Sequence, residues 1–284
     1  MQKQRVRSHL LHLAQLLHIF QQLTVTTAPL LDIGIETMPD ISTLTKQSFP
    51  RFMDYSILSK DTQEAEIRKG CAEVRKYRFA AFYTSSAYWT PIVAEELAGY
   101  YDIEIGVGIA FPFGSAPPSV KAFEMEHALA QGCTTLDLTM NIGALKDGRL
   151  DVVREELRHL ATICGEENVS KCILDVGFLS DEEIATGCKL IAEAGVDFAK
   201  TSSGQFEGPT LEQVLVMKRT LADSNIRLKV AGVKFPRPQN ALAFILAGAE
   251  RIGTRAAVEI VEAWDTLEEA GLVPVVAMQE QSTE

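Results

Sequence analysis

The chain has 284 residues, 46% of them hydrophobic, with five cysteines and a formal net charge of −11. That length and apolar content suit one large α/β domain with a sizeable core. The acidic balance argues against broad nucleic-acid binding and docking on anionic membranes, no run of about 18 apolar residues could cross a bilayer, and an odd cysteine count without a C-x-x-C pair fits a reducing cytoplasm rather than a disulfide framework.

Residues 3–23 carry Lys3, Arg5 and Arg7 and no acid, and Leu10, Leu13, Ala14, Leu17 and Phe20 share one helical face. His12, Gln15, His18 and Gln21 interrupt any signal-peptide core, so an extra helix fits this segment better than a targeting peptide. Residues 1–49 are therefore expected to form a partly helical extension, 50–265 a barrel, and 266–284 a helix end and a loose acidic tail.

From about residue 50, strand-like and helical patterns alternate without a linker. Apolar strand runs fall at 52–56, 79–84, 103–109, 135–140, 171–176, 197–201, 227–231 and 251–253, and helical patterns at 61–77, 119–131, 149–164, 181–194, 210–222 and 239–247. Ser180 with Glu183 and Thr210 with Gln213 read as capping boxes. Ala-Gly pairs at 194–195 and 247–248 read as helix exits. Eight strands spaced roughly 25–35 residues apart predict an eight-stranded parallel (β/α)8 TIM barrel. A doubly wound open sheet is the alternative; it typically has fewer strands and opens on a G-x-G-x-x-G fingerprint, which is absent.

In a barrel the chemistry belongs at the carboxyl ends of the strands. Those ends read Asp54, Tyr83, Phe111-Pro112, Asp137, Asp175, Lys200, Lys229 and Gly253. Two of them are lysines on neighbouring strands six and seven. A lysine at a buried strand end is costly unless neutral or paired. Two close ammonium groups repel, and burial beside a second cation would lower the first lysine far enough to leave a free amine, the nucleophile of a Schiff-base enzyme. The same residues have plainer readings. Lys229 or Asp175 could be half of a structural ion pair at the barrel mouth, Arg255 could pair with Glu259 four residues on, Asn141 could cap a strand end, and His127 and His159 read as helix-surface residues. No metal-ligand spacing is present.

Segments MDYSIL (53–58), GIAFPFGSAPPSVKAFE (108–124), LDLTMNIGALKDG (136–148), AGVDFAKTSSG (194–204), LKVAG (228–232) and AGAERIGT (247–254) resemble deoxyribose-phosphate aldolase, a class I aldolase family built on a βα barrel. The resemblance spans residues 50–262. It implies that Lys200 is the Schiff-base lysine, that Lys229 perturbs it and joins proton transfer, and that Asp137 relays protons through a water. Asp54 and Ser56 match a pair near the substrate hydroxyls. Thr201, Gly204, Gly232, Gly253 and Arg255 are the further substrate-binding positions expected. The implied reaction cleaves 2-deoxyribose 5-phosphate to glyceraldehyde 3-phosphate and acetaldehyde, without metal or other cofactor. The implied partner is a small sugar phosphate or related anionic carbonyl compound, and a homodimer or higher homo-oligomer is expected.

The chain departs from the family pattern at several points. Gln205 stands where some members have lysine, Lys229-Val-Ala-Gly-Val-Lys234 has a single glycine where two are usual, Arg255-Ala256 replaces a pair of serines, and Tyr83 stands where cysteine is common. Val233 would hinder close backbone approach to a ligand, whereas Arg255 could clamp an anion. Two other functions compete: a related Schiff-base aldolase, thiolase or isomerase acting on a different phosphorylated or carboxylated substrate, and a sugar-phosphate-binding barrel without catalysis. The latter has no need of two close lysines.

Overall fold

A computed structural model of the chain describes residues 43–273. The helix expected within residues 3–23 and the acidic tail at 280–284 lie outside the described residues. The eight predicted strands are present as β1 Met53–Ile57, β2 Ala81–Thr84, β3 Glu104–Ile109, β4 Thr135–Thr139, β5 Val169–Ile173, β6 Phe198–Lys200, β7 Arg227–Ala231 and β8 Arg251–Thr254. They pair in parallel in sequence order, and β1 pairs with β8, so the sheet is a closed (β/α)8 barrel.

The helices are α1 Glu64–Tyr77, α2 Thr90–Glu96, α3 Pro118–Ala130, α4 Ile142–Lys146, α5 Leu150–Cys164, α6 Asp181–Ala194, α7 Leu211–Thr220, α8 Pro238–Leu246, α9 Ala257–Glu262 and α10 Trp264–Glu269. Both capping boxes form: Ser180 Oγ accepts from the Glu183 amide, and Thr210 Oγ1 from that of Gln213. Gly195 and Gly248 follow their helices at φ of 72° and 104°, a backbone region open to glycine without strain. The short helices α2, α4, α9 and α10 escape the sequence periodicity because each is under two turns. Asn141 caps the start of α4 rather than a strand end, its Oδ1 accepting from the Ala144 amide at 3.0 Å. Among the described residues no helix is long and apolar enough to cross a membrane.

Apolar side chains fill the space between sheet and helices, in one cluster around β3–β6 and another around β1, β2 and β8. Phe49 belongs to the second, its ring 5.2 Å from that of Trp264. All five cysteines are buried in these regions as free thiols. The inside of the barrel is different. Asp54, Tyr83, Asp137, Lys171, Lys200 and Lys229 are all buried there, so polar groups take the place that Val, Ile and Leu usually occupy.

A second buried ion pair fixes the outside of β4. The Lys121 ammonium on α3 donates to Glu156 Oε2 on α5 at 2.5 Å and to the Thr139 carbonyl at 2.8 Å. Glu156 Oε1 accepts from the Asn141 amide at 2.8 Å. Together they clamp the backbone two to four residues beyond Asp137. Neither side chain is exposed, so removing one partner strands a buried charge. Lys121→Met is expected to cost about 3–5 kcal/mol, and Lys121→Met with Glu156→Leu to recover much of that. Urea denaturation of the single and double variants measures it; a single variant as stable as the parent would show that the pair carries no weight.

Candidate active site

Register brings the ionisable strand residues together. Lys200 lies beside Lys229 and Lys229 beside Arg251 across β6, β7 and β8, while Asp137 is level with Lys171 across β4 and β5. The lysine ammonium groups meet on one carboxylate oxygen. Asp137 Oδ2 accepts from Lys200 Nζ at 2.6 Å and from Lys229 Nζ at 2.9 Å. Lys229 Nζ also lies 2.8 Å from Asp54 Oδ2. Asp54 is 3.2 Å from Lys171 Nζ, which in turn donates to Glu104 Oε2 at 2.8 Å. Arg251 closes the network, 3.5 Å from Asp54 and 3.6 Å from Glu104. Three carboxylates and four cations are thus linked inside the barrel.

Burial and charge act in opposite directions on each member. For Lys200, burial outweighs the attraction of Asp137 and, with repulsion from Lys229 added, brings the ammonium down to about 8. For Lys229, burial is overcome by Asp137 and Asp54 together, so its pKa is raised. Burial would raise Asp137 too, but Lys200, Lys229 and Lys171 pull it well below the usual carboxylate range. The sequence reading expected burial and a second cation together to lower Lys200. Loss of solvation is the larger cause, and the carboxylate between the two lysines softens their repulsion.

These groups stand at the base of a cavity of about 280 Å³ that opens at the carboxyl ends of the strands. Asp54, Ser56, Gly204, Gly232, Gly253 and Arg255 line it with Asp137, Lys200 and Lys229. Asp54 is completely buried in the ion network, which places it beneath the lysines rather than free for a substrate hydroxyl. Thr201 departs from expectation and does not line the cavity: its Oγ1 bonds both the amide and the carbonyl of Ala231 at 3.0 Å, tying the end of β6 to β7. Asp175 does not pair with either lysine. Its Oδ1 accepts from the Ser203 amide at 2.7 Å and from Ser203 Oγ at 2.8 Å, fixing the loop after Lys200. No ion pair joins Arg255 to Glu259, and Arg255 is exposed at the rim. Asp137 Oδ1 is buried without a protein hydrogen-bond partner and retains acceptor capacity for a group entering the cavity.

The far side of the cavity is backbone-rich. Gly204 and Gly232 have φ of 83° and 82°, and a Cβ on Gly232 would lie 2.9 Å from Ser202 Cβ and 3.2 Å from Gly204 Cα. The two loops therefore touch, and only glycine suits the contact. Val233, Lys234 and Arg237 follow along the wall.

Sequence reasoning missed three members of this site. Glu104 and Arg251 open their strands, where strand-end logic does not look, and Lys171 is the middle residue of β5, level with Asp137. The signal that could have found them is charge at inward-facing positions of otherwise apolar strands. Among the described residues no group of three or more His, Cys, Asp or Glu side chains is arranged to hold a metal ion.

Known proteins carry the same arrangement of chain. No protein-family model matches the sequence, but a deoxyribose-phosphate aldolase from Clostridium tetani is 36% identical over 212 residues, 75% of this chain and 97% of that protein. One from Geobacillus is 36% identical over 218 residues, 76% of this chain and 96% of its own. The chain belongs to the deoxyribose-phosphate aldolase family. With membership comes the enzyme class, a lyase of the class I aldolases. A solved protein from Coccidioides immitis, provisionally assigned as a deoxyribose-phosphate aldolase, superposes with a TM-score of 0.74 at 26% identity, over 88% of this chain and 96% of that one. The tetrameric deoxyribose phosphate aldolase of Aeropyrum pernix shares the fold, with a TM-score of 0.71 at 24% identity over 78% and 93% of the two chains.

The pKa of Lys200 has a consequence for stability. Its folded value lies below the unfolded 10.5, so between about 8 and 10.5 the unfolded chain binds more protons and stability rises with pH. Below about 8 the penalty is complete, about 3 kcal/mol. Lys229, raised in the fold, contributes stability that persists below 10.5 and is lost only above it. Relative to Lys200→Met, the parent protein is expected to gain up to about 3 kcal/mol between pH 7.5 and 10.5. Denaturant titrations at stepped pH test this; parallel stability curves would refute it.

Proposed function

We propose that the aldolase cleaves 2-deoxyribose 5-phosphate to glyceraldehyde 3-phosphate and acetaldehyde through a Schiff base on Lys200. The observation that carries this reading is the single oxygen of Asp137 shared by a lysine brought down to about 8 and a lysine held charged. A solvent-like lysine would be almost wholly protonated at neutral pH, whereas one near 8 offers a usable fraction of free amine.

In the proposed sequence the Lys200 amine adds to the aldehyde carbon C1, and the carbinolamine loses its oxygen as water to leave an iminium. A base takes the proton of the C3 hydroxyl. The C2–C3 bond breaks, its electron pair passes to the iminium, glyceraldehyde 3-phosphate departs, and an enamine remains. Protonation of C2 and addition of water release acetaldehyde and restore the amine. Asp137 exchanges protons with the carbinolamine and the enamine, and Lys229 supplies positive charge and a proton beside it. Ser56 is placed for the sugar hydroxyls. Gly204, Gly232 and Gly253, with Lys234, Arg237 and Arg255 on the rim, form a locally positive, amide-rich end for the phosphate on an otherwise acidic protein.

A second reading keeps the amine and changes the substrate. It is favoured by Val233 and Arg255 at the phosphate end, where a carboxylate could take the place of the phosphate. We further propose that the chain self-associates; light scattering of the purified protein measures its mass.

Borohydride in the presence of deoxyribose 5-phosphate is expected to add covalent mass at Lys200, located by peptide mass spectrometry, and Lys200→Met to abolish it. Label with other carbonyl acids but not with the sugar phosphate would transfer support to the second reading; label with none of them would leave the Schiff base without support. Asp137→Asn is expected to retain binding and lower kcat by about 10²–10⁴. The kcat/KM profile is expected to rise with pH through about 8 as Lys200 loses its proton. A profile flat from pH 6 to 9 would remove Lys200 from the rate-limiting chemistry.

A further inference from the structure

One side chain of this site has no assigned part. Tyr83 on β2 is only 3% exposed and borders the cavity from below. Lys229 Nζ stands 3.6 Å from the centroid of its ring, with Lys171 Nζ at 5.3 Å and Lys200 Nζ at 5.8 Å. The ring is held in place from two sides. Its hydroxyl bonds Thr135 Oγ1 on β4 at 3.1 Å. On β3, a Cβ at Gly106 would come within 2.3–2.5 Å of three ring atoms, so the absence of a side chain there makes the room the ring occupies.

We propose that Tyr83 is a positioning residue that separates the charges of the two lysines: its ring face carries the Lys229 ammonium, and its bulk closes the barrel beneath the cavity so that Lys200 stays dry. This rests on the proposed division of labour between Lys200 as amine and Lys229 as cation. An ammonium over an aromatic face gains electrostatically from the ring quadrupole, and more so away from water. A filled floor keeps solvent from rising under Lys200, whose ammonium loses its proton more readily because it is desolvated. The phenol is itself pushed well above 10 by burial and by Asp137, Asp54 and Glu104, so the ring adds no negative charge to the network. The other groups facing Lys229 are Asp54 on β1, Asp137 on β4 and Lys200 on β6, with Lys171, Glu104 and Arg251 one link further along. The carboxylates hold Lys229 charged in any case. The ring widens its gap from Lys200.

Both lysine titrations can be followed in the free protein by NMR of [ε-13C]lysine, assigned with Lys200→Met and Lys229→Met. Tyr83→Phe is expected to leave both in place. Tyr83→Ala is expected to raise Lys200 by about one pH unit and to lower Lys229 by about one. Adding p-cresol should refill the void and reverse both shifts. Should Tyr83→Ala not fold, 3,4,5-trifluorophenylalanine at position 83 keeps the shape and weakens the face; Lys229 is then expected to fall while Lys200 holds. The proposal is overturned if the alanine variant folds with a lower Tm and unmoved titrations, if Tyr83→Phe shifts them as far as alanine does, or if the fluorinated ring leaves Lys229 unchanged. Because the readout is taken without substrate, it is independent of whether deoxyribose 5-phosphate is the compound cleaved.

Discussion

One carboxylate oxygen, Asp137 Oδ2, holds two lysines at once, and the character of the site follows from the arithmetic of charge around it. With every group ionised, four cations face three carboxylates in the barrel, and only Glu104 and Arg251 keep partial exposure. An unbalanced charge there is expensive, and the least costly correction is the loss of one proton. Arg251 lies near two of the carboxylates, Asp54 and Glu104. Lys171 and Lys229 each touch two carboxylates. Lys200 touches only Asp137, so it is the member whose charge is least supported. The free amine is thus selected by connectivity. Burial supplies the push, and connectivity decides which lysine yields to it.

This explains why the barrel interior departs from the usual branched aliphatic filling. Lys171, Glu104 and Arg251 lie below the cavity, yet they fix the allegiance of Asp54, and Asp54 fixes that of Lys229. The packing that supports them is conventional. Two apolar clusters press the helices onto the sheet, the Lys121–Glu156 clamp secures the backbone beyond β4, and Asp175 secures the loop beyond β6 through Ser203. Rigid support of this kind matters because the proposed imine chemistry would tolerate little displacement.

The barrel itself was legible in the sequence, since alternating strand and helix patterns, capping boxes at Ser180 and Thr210 and glycines after helices are local signals that agree with the final topology. Lys200, Lys229 and Asp137 were singled out in the sequence as charged residues of apolar strands that match a family's motif, although only Lys200 ends its strand and Asp137 and Lys229 lie mid-strand. Thr201 was misplaced for a geometric reason: the residue after an inward lysine points the opposite way on a pleated strand, here towards Ala231. The short helices lacked the length for periodicity to register, and the lower half of the ion network, Glu104 and Arg251 at strand beginnings and Lys171 mid-strand, lay where a reading of strand ends is blind. The role of Asp175 could not be read either, because it depends on an αL backbone at φ 48° that turns its side chain from the lysines to the next loop.

All but one of the departures from the family pattern lie apart from the ion network. Asp137, Lys200 and Lys229 are strand residues whose directions are set by sheet register and whose charges are set by one another. Gln205, Val233 and Arg255 belong to the loops and rim at the other end of the cavity, where recognition is mostly a matter of backbone approach and a few cations. A change there alters what is held without disturbing which amine is free, because no member of the ion network reaches those loops. Tyr83 is the exception among the departures. It lies within the network rather than on the rim, and the room for its ring comes from Gly106 on the neighbouring strand. A bulkier residue at 106 would be felt first in the balance between the two lysines, and only through them in the reaction.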